Sequence, residues 1–377
     1  MIKSLMNIII EIKKFFSLLN FLVDLKDKKI KIVFFSESKS YQKYSKSIID
    51  ALCSIYSGKI YYFSIDKNDT IKHDRIINYY VSPLLIYFFF NKLKAENIFL
   101  TITDLGSNLL KKTKNIDKYI YYFHSPVSTT KNYTSKAFDN YDIIMCNGQF
   151  QINEIRLREY LKKLNKKKLI PTGYCYFDYL IKNSNQNVNS DDILIAPSWN
   201  INKNNFINEN FIELIDVLVK KNYNVVFRPH PEHFKRSKNI LNDIKNKFSK
   251  NRFKLDIDIN NIKSMEKAQC LITDSSGIAI EYMIIMKRPV LYFDEFDKIH
   301  NSEFKDYSNL ETIDQKIKRN FGYSFKKSDF SNIDSIIDRS KKKLYKQSSE
   351  LEKFIDENYF NFGNTKKFLF SFLKKLI

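Results

Sequence analysis

The chain has 377 residues, 44% hydrophobic and 15% aromatic, with 63 Lys+Arg against 42 Asp+Glu and a formal charge of +21. That is more than one ordinary core absorbs and far too apolar for disorder, so two globular domains are expected. The positive excess suits nucleic acid, an anionic membrane surface or a polyanionic substrate, although the abundance of Asn and Ile beside Lys also fits a plain compositional bias.

At the N-terminus, Leu5, Ile8, Ile9, Ile12, Phe15, Phe16, Leu19, Leu22 and Val23 recur at helical spacing, predicting an amphipathic helix over 1–28. Glu11, Lys13 and Lys14 interrupt the apolar face, so it does not suit a bilayer span, and no cleavable signal pattern is evident. Two readings stand: a helix lying on an anionic leaflet, and one packed on the first domain.

Short apolar runs then alternate with helical segments. Strands are predicted at Ile32–Phe35, Ile60–Phe63, Ile98–Ile102, Tyr119–Phe123, Ile143–Cys146 and Lys168–Ile170, with helices at Ser45–Tyr56 and Gln151–Leu164. The polar run Lys182–Asp191 reads as a linker. Beyond it come strands at Ile193–Ala196, Val225–Phe227, Phe253–Ile257, Cys270–Thr273 and Val290–Phe293, and a helix near Asn210–Lys220. Such alternation predicts an α/β protein of two doubly wound Rossmann-like domains, 29–182 and 191–327, facing a central cleft. A helical tail, 328–377, is expected to brace the domains, and its end, Phe368–Ile377, poses the same membrane-or-packing choice. Cys53, Cys146, Cys175 and Cys270 are widely spaced and lack a Cys-x-x-Cys pair, which argues against zinc or disulfides and fits a reducing cytosol.

Two strand ends carry the chemistry. Arg228-Pro229-His230-Pro231 places a guanidinium and an imidazole in a stiff loop, suited to neutralising a pyrophosphate leaving group. Asp274-Ser275-Ser276-Gly277 precedes a helical apolar pattern, so Ser275 or Ser276 is expected at an N-cap with free N–H groups above it. Gly277 admits a phosphate close to the backbone, and Glu281, within two turns of the helix start, suits a ribose unless it is a solvated helix carboxylate. His124 follows a strand in the first domain, with Ser125 and Ser128, either side of Pro126, read as an acceptor loop; a neutral histidine there suits the deprotonation of an acceptor hydroxyl, unless it is an ordinary core histidine. His233 is a weaker candidate, read as a cap on the next segment, and Thr103–Ser107 reads as a further cleft loop. Asp256-Ile257-Asp258 resembles an acidic metal pair, but strand alternation accounts for it. Neither His73 nor His300 has a context that carries a role, and no dinucleotide fingerprint or Walker-type loop is present.

Taken together these residues resemble the CDP-glycerol glycerophosphotransferase family, the teichoic-acid primases and polymerases of GT-B fold. The resemblance rests on Arg228-Pro229-His230-Pro231, on Ile272–Ser276, and on Arg288–Asp294. It also draws on Ile195–Trp199, Pro171–Tyr174 with Asp178, and Asn358–Asn364. It implies a CDP-linked donor, no cofactor, no obligatory metal, and inline transfer of glycerol or ribitol phosphate onto a hydroxyl of a lipid-linked glycan. It further implies that His124 is the base, that His230 binds the diphosphate, and that Asp274, Ser275 and Ser276 line the donor pocket. The location expected is cytoplasmic, peripheral on the inner face of the cell membrane. One departure stands out: Phe123-His124-Ser125-Pro126 replaces the family's tryptophan–histidine–glycine–threonine, which alters the acceptor loop. A nucleotide-sugar glycosyltransferase for a surface polymer on the same scaffold is therefore the rival, with a nucleotide-sugar 2-epimerase after it. Aromatics fall in strands and amphipathic helices rather than among exposed cations, so no nucleic-acid partner is expected.

Overall fold

This computed structural model describes residues 15–23, 28–103, 105–107, 110–189, 191–199, 207–248, 252–295, 298–307 and 309–377. The chain folds as two compact units, unit 1 (Met1–His124, Lys136–Tyr176, Asn364–Ile377) and unit 2 (Ser125–Ser135, Phe177–Gly363).

In chain order the first half runs α1 (15–23), β1 (Ile30–Ser36), α2 (Gln42–Ile55), β2 (Ile60–Ser64), β3 (Ile76–Tyr80), α3 (Ile86–Lys92), β4 (Ala95–Leu100) and β5 (Ile116–Tyr122). It continues with α4 (Thr129–Asn132), β6 (Ile143–Cys146), α5 (Gln149–Leu161), β7 (Lys168–Pro171) and α6 (Cys175–Asn183). The seven strands form one all-parallel sheet in the order β3-β2-β1-β4-β5-β6-β7. Strand order reverses beside β1, at the β1/β4 boundary, which is where such sheets open a crevice at their carboxyl edge. Ile48, Ile49 and Leu52 of α2 pack on Ile32, Phe34, Phe99 and Ile120, because their helical spacing puts them on one face.

The described part of the N-terminal helix takes the packed alternative. Leu18 and Leu22 are buried, and Phe21 stacks on Tyr61 and Tyr79 at 5.3 and 4.6 Å between ring centres. The remainder of the predicted 1–28 helix, and Asp104 of the Thr103–Ser107 loop, lie outside the described residues.

The second half runs β8 (Asp192–Ile195), α7 (Glu209–Lys220), β9 (Asn224–Phe227), α8 (Pro231–Arg236), α9 (Lys238–Phe248), β10 (Phe253–Leu255), α10 (Ile262–Lys267), β11 (Ala268–Thr273) and α11 (Ile278–Met286). It ends with β12 (Val290–Phe293), α12 (Ile313–Phe321), β13 (Tyr323–Phe325), α13 (Ile333–Lys346), α14 (Ser348–Asn358) and α15 (Thr365–Lys374). Its parallel sheet has the order β10-β9-β8-β11-β12-β13 and reverses at β8/β11. Asn208 caps α7, its side-chain oxygen accepting from Phe211 N–H at 3.0 Å, and turns Phe211, Leu214, Ile215 and Leu218 onto the sheet. Helix α11 is buried around its whole circumference from Ala279 to Met286, which explains why it carries no polar stripe.

Three features were not legible as patterns. β3 and β13 are edge strands with little to bury, so neither has an apolar run. The polar run read as a linker is tied down: Arg288 donates to the carbonyls of Gln186 and Val188 at 2.8 and 3.1 Å, and Gln186 Nε2 donates to Ile285 at 2.7 Å. In the tail, α13 and α14 belong to unit 2, whereas α15 belongs to unit 1 and packs on α2 through Leu369, Phe372 and Leu373. The four cysteines are buried and none is in a disulfide among the described residues.

Candidate functional site

In unit 2 the site is built where β8 and β11 end side by side. Ala196 N–H donates to Ile272 and Thr273 Oγ1 donates to Ala196, at 3.0 and 2.7 Å, carrying the pairing past the strand ends. Ser198 then donates to both carboxylate oxygens of Asp274, from its N–H at 2.8 Å and its hydroxyl at 2.6 Å. Asp274, buried at 8% exposure, is thereby fixed by two donors across the β8/β11 reversal.

After Asp274 the structure corrects one expectation. Neither Ser275 nor Ser276 caps the helix; Gly277 occupies the N-cap with φ −60°, and no side chain caps the first turn. Ala279 N–H instead reaches back to Ser276 O at 3.0 Å and Ile280 N–H to Gly277 O at 3.2 Å. A Cβ on Gly277 would lie 2.0 Å from Ser125 Oγ, so glycine here is demanded by close approach of the Ser125 loop. Glu281 is buried rather than solvated, and Asn261 Nδ2 donates to it at 3.4 Å.

The β9 end shows Arg228 already matched. Its guanidinium donates to Asp256 at 2.7 Å and to the Ile259 carbonyl at 3.4 Å. Burial alone would raise the Asp256 carboxyl, yet the Arg228 charge and the bonds to it hold the carboxyl below its ordinary range. His230 is the N-cap of α8, its Nδ1 accepting from Glu232 N–H at 3.2 Å. His233, 1% exposed, packs edge-on to Trp199 at 5.1 Å between ring centres and stands 6.5 Å from the His230 ring. Burial pushes its pKa down to about 4 against the pull of Asp274 and Glu232. Neither of its ring nitrogens has a hydrogen-bond partner among the described residues, so it is not the cap that its position suggested.

Residues 125–135 complete the unit 2 cluster, although chain order alone would leave them with unit 1. Ser128 caps α4, its hydroxyl accepting from Thr130 N–H at 3.2 Å. The Ser128 N–H and Asn132 Nδ2 donate to the two oxygens of Asp314 at 2.8 and 2.9 Å. Asn301 Nδ2 donates to the Thr130 carbonyl and His300 N–H to the Lys131 carbonyl, at 2.8 and 2.9 Å. Lys131 is therefore buried at 4% exposure beside the segment that follows β12. From that segment come Lys298, held below the usual lysine range by burial, and His300, pushed down to about 4 by burial and then by Lys298. Asp274, Asp314 and Lys131 all act on the Lys298 charge. Sequence reading passed over Lys131, Lys298, His300 and Asp314, because they fall in stretches without a strand–motif–helix frame; no local signal would have found them.

In unit 1, His124 follows the end of β5, its ring 5.2 Å from Tyr41 and 6.1 Å from Tyr44 between centres. Tyr44 in turn meets Tyr174 and Tyr176, with Lys43 Nζ 5.0 Å above the rings of Tyr44 and Tyr176. Gly173, at φ +86°, makes the turn that brings Tyr174 there, and its N–H donates to Cys146 at 3.0 Å. His73 is structural, accepting from Arg75 N–H at 3.1 Å.

Comparison with known proteins joins these observations. The profile of the family described as CDP-glycerol:poly(glycerophosphate) glycerophosphotransferase matches residues 16–313, a stretch that holds every candidate residue named above except Asp314. The chain belongs to this family. It is accordingly an enzyme of the glycerophosphotransferase class, with an α/β GT-B-like fold of two parallel-sheet Rossmann-like units. Among solved structures it is similar to the wall teichoic acid polymerase TagF, at 16% identity and TM-score 0.60 over 98% of this chain and 97% of that one. A TagF histidine variant soaked with CDPG gives 16% identity and TM-score 0.59, over 100% and 96%. The UDP-GlcNAc 2-epimerase of Methanocaldococcus jannaschii, in complex with UDP-GlcNAc and UDP, gives 13% and 0.57, over 92% and 99%. No curated protein sequence matches.

Proposed function

We propose that the enzyme transfers glycerol phosphate or ribitol phosphate from a CDP-activated donor to a hydroxyl of a lipid-linked glycan in cell-envelope polymer synthesis. The observation that carries the reading is the family match over 16–313, which spans His124, the Arg228–His230 loop and the Asp274–Gly277 turn together. In this reading His124 takes the proton of the acceptor hydroxyl. The hydroxyl oxygen attacks the alditol-bearing phosphorus, the P–O–P bond breaks, and CMP departs with the bonding electrons. His230 and the polar groups around Asp274 hold the diphosphate as charge builds on the leaving group. The His124 ring lies edge-on to Tyr41 and beside Tyr44, and an imidazole is a side chain suited to taking a proton near neutral pH. We place the enzyme on the cytoplasmic face of the membrane, where its surplus of lysine and arginine favours an anionic leaflet.

A sugar transfer on the same fold is the second reading, favoured by Ser125-Pro126 after His124, where Ser125 closes on Gly277. Product analysis with CDP-glycerol, CDP-ribitol and UDP-sugars, each offered with lipid-linked oligosaccharides, separates the two. CMP release with a CDP-alditol is expected; turnover with UDP-sugars alone would overturn the proposal. His230→Asn keeps a capping side chain on α8 but removes the imidazole, so it should fold normally and lose turnover. Full activity in that variant would remove the role given to His230.

A further inference from the structure

The hydrogen-bonding groups around the β8/β11 reversal are unevenly used. The carboxylates there are occupied: Asp274 by Ser198 N–H and Oγ–H, Asp314 by Ser128 N–H and Asn132 Nδ2. Arg228, the obvious cation by motif, is neutralised by Asp256. One ammonium and several imidazole nitrogens are left over. Lys298, half-buried, makes neither a hydrogen bond nor an ion pair within 4.0 Å with any described residue. Nε2 of His300 is buried without a partner, and so are both ring nitrogens of His233. A half-buried ammonium whose N–H groups find no partner among the described residues is an expensive feature that folding alone does not explain. Removing water from it gains nothing until an anion arrives.

The same imbalance identifies the anion's class. A sugar or amine would bring donors to a place whose carboxylate acceptors are already engaged. A diphosphate brings only acceptors and negative charge, and so satisfies Lys298 without competing for Asp274 or Asp314.

We propose that Lys298, with Nε2 of His300 beside it and Lys131 behind, is the anion seat of unit 2 and holds the donor's diphosphate in place of Arg228. This assignment rests on the transferase reading for the identity of the donor. The seat itself is tested with inorganic pyrophosphate, whose binding needs no turnover.

Calorimetric titration of the full chain with pyrophosphate should show binding that falls about tenfold or more in Lys298→Met and is retained within a few fold in Lys298→Arg. Unliganded Lys298→Met should melt at or above the wild-type temperature, because the substitution removes an unpaired charge and breaks no bond. Lys374→Met, an exposed lysine of α15, controls for net charge and should bind as wild type. Wild-type chain that fails to bind pyrophosphate, or Lys298→Met that binds it equally well, overturns the assignment. So does a Lys298→Met that loses binding only with a lowered melting temperature. With CDP-glycerol, KM should rise in Lys298→Met. If no CDP-alditol turns over while pyrophosphate binding still depends on Lys298, the transferase reading fails and the seat stands.

Discussion

His233 shows how burial sets chemistry one side chain at a time. At 1% exposure its ring is neutral, with a pKa pushed down to about 4, whereas an unfolded histidine titrates near 6.5. Above pH 6.5 both states are neutral and the native state is unaffected. Between 6.5 and 4 the unfolded chain binds the extra proton, so stability falls as pH falls, by up to about 3 kcal/mol from this residue. His300 shifts in the same direction. Melting temperature against pH should be measurably flatter over that window in His233→Phe; an unchanged slope would assign the acid response elsewhere. Arg228 makes the opposite case, a charge that is fully matched. With side-chain exposures of 14% and 10%, the Arg228–Asp256 pair excludes most water, so Arg228→Met strands a buried carboxylate and should cost about 3–5 kcal/mol. Replacing Asp256 as well, by leucine, should recover much of that loss in urea unfolding; no recovery would mean that Arg228 acts through something other than this pair.

Among the elements, the contact between the α11 N-cap and the 125–135 segment is the tightest constraint on the site. Gly277 has φ −60°, so alanine there meets no backbone strain; it meets Ser125 Oγ. Gly277→Ala should cost about 1–3 kcal/mol through overpacking, and Ser125→Ala should relieve most of it, leaving a Cβ–Cβ approach of 3.3 Å. A double-mutant cycle on melting temperature reads the coupling, and additive losses would exclude the contact. Most strands of both sheets, and helices α2, α5 and α7, were legible from apolar runs and 3.6-residue periodicity. The helix start at Asp274–Gly277 was legible too, though its cap was assigned one or two residues early. Seen from the sequence, Ser128 suggested an acceptor contact; in the structure its hydroxyl caps α4. The edge strands β3 and β13 were invisible because a half-solvated strand of three to five residues shows no continuous hydrophobic run.

For the whole molecule, two separate cores allow stability and ligand binding to be separated. Leu373 of α15 is fully buried in the unit 1 core, so Leu373→Ala should cost about 2–5 kcal/mol. Because the pyrophosphate seat lies entirely in unit 2, its affinity should not change at temperatures where the variant is folded. A weakened affinity there would tie the seat to unit 1.

Periodicity, strand-end motifs and punctuating prolines were enough to determine an α/β protein of two parallel sheets and the strand ends that carry its polar residues, while its family was legible as a resemblance of short motifs. These are local properties, set by how a few neighbouring residues bury or expose themselves. Only the tertiary structure decided that residues 125–135 join unit 2, that Asp256 neutralises Arg228, and that Lys131, Lys298 and His300 gather near Asp274. Each depends on groups far apart in the chain competing for the same charge or hydrogen bond. That competition is settled only when the sheet brings its strand ends together.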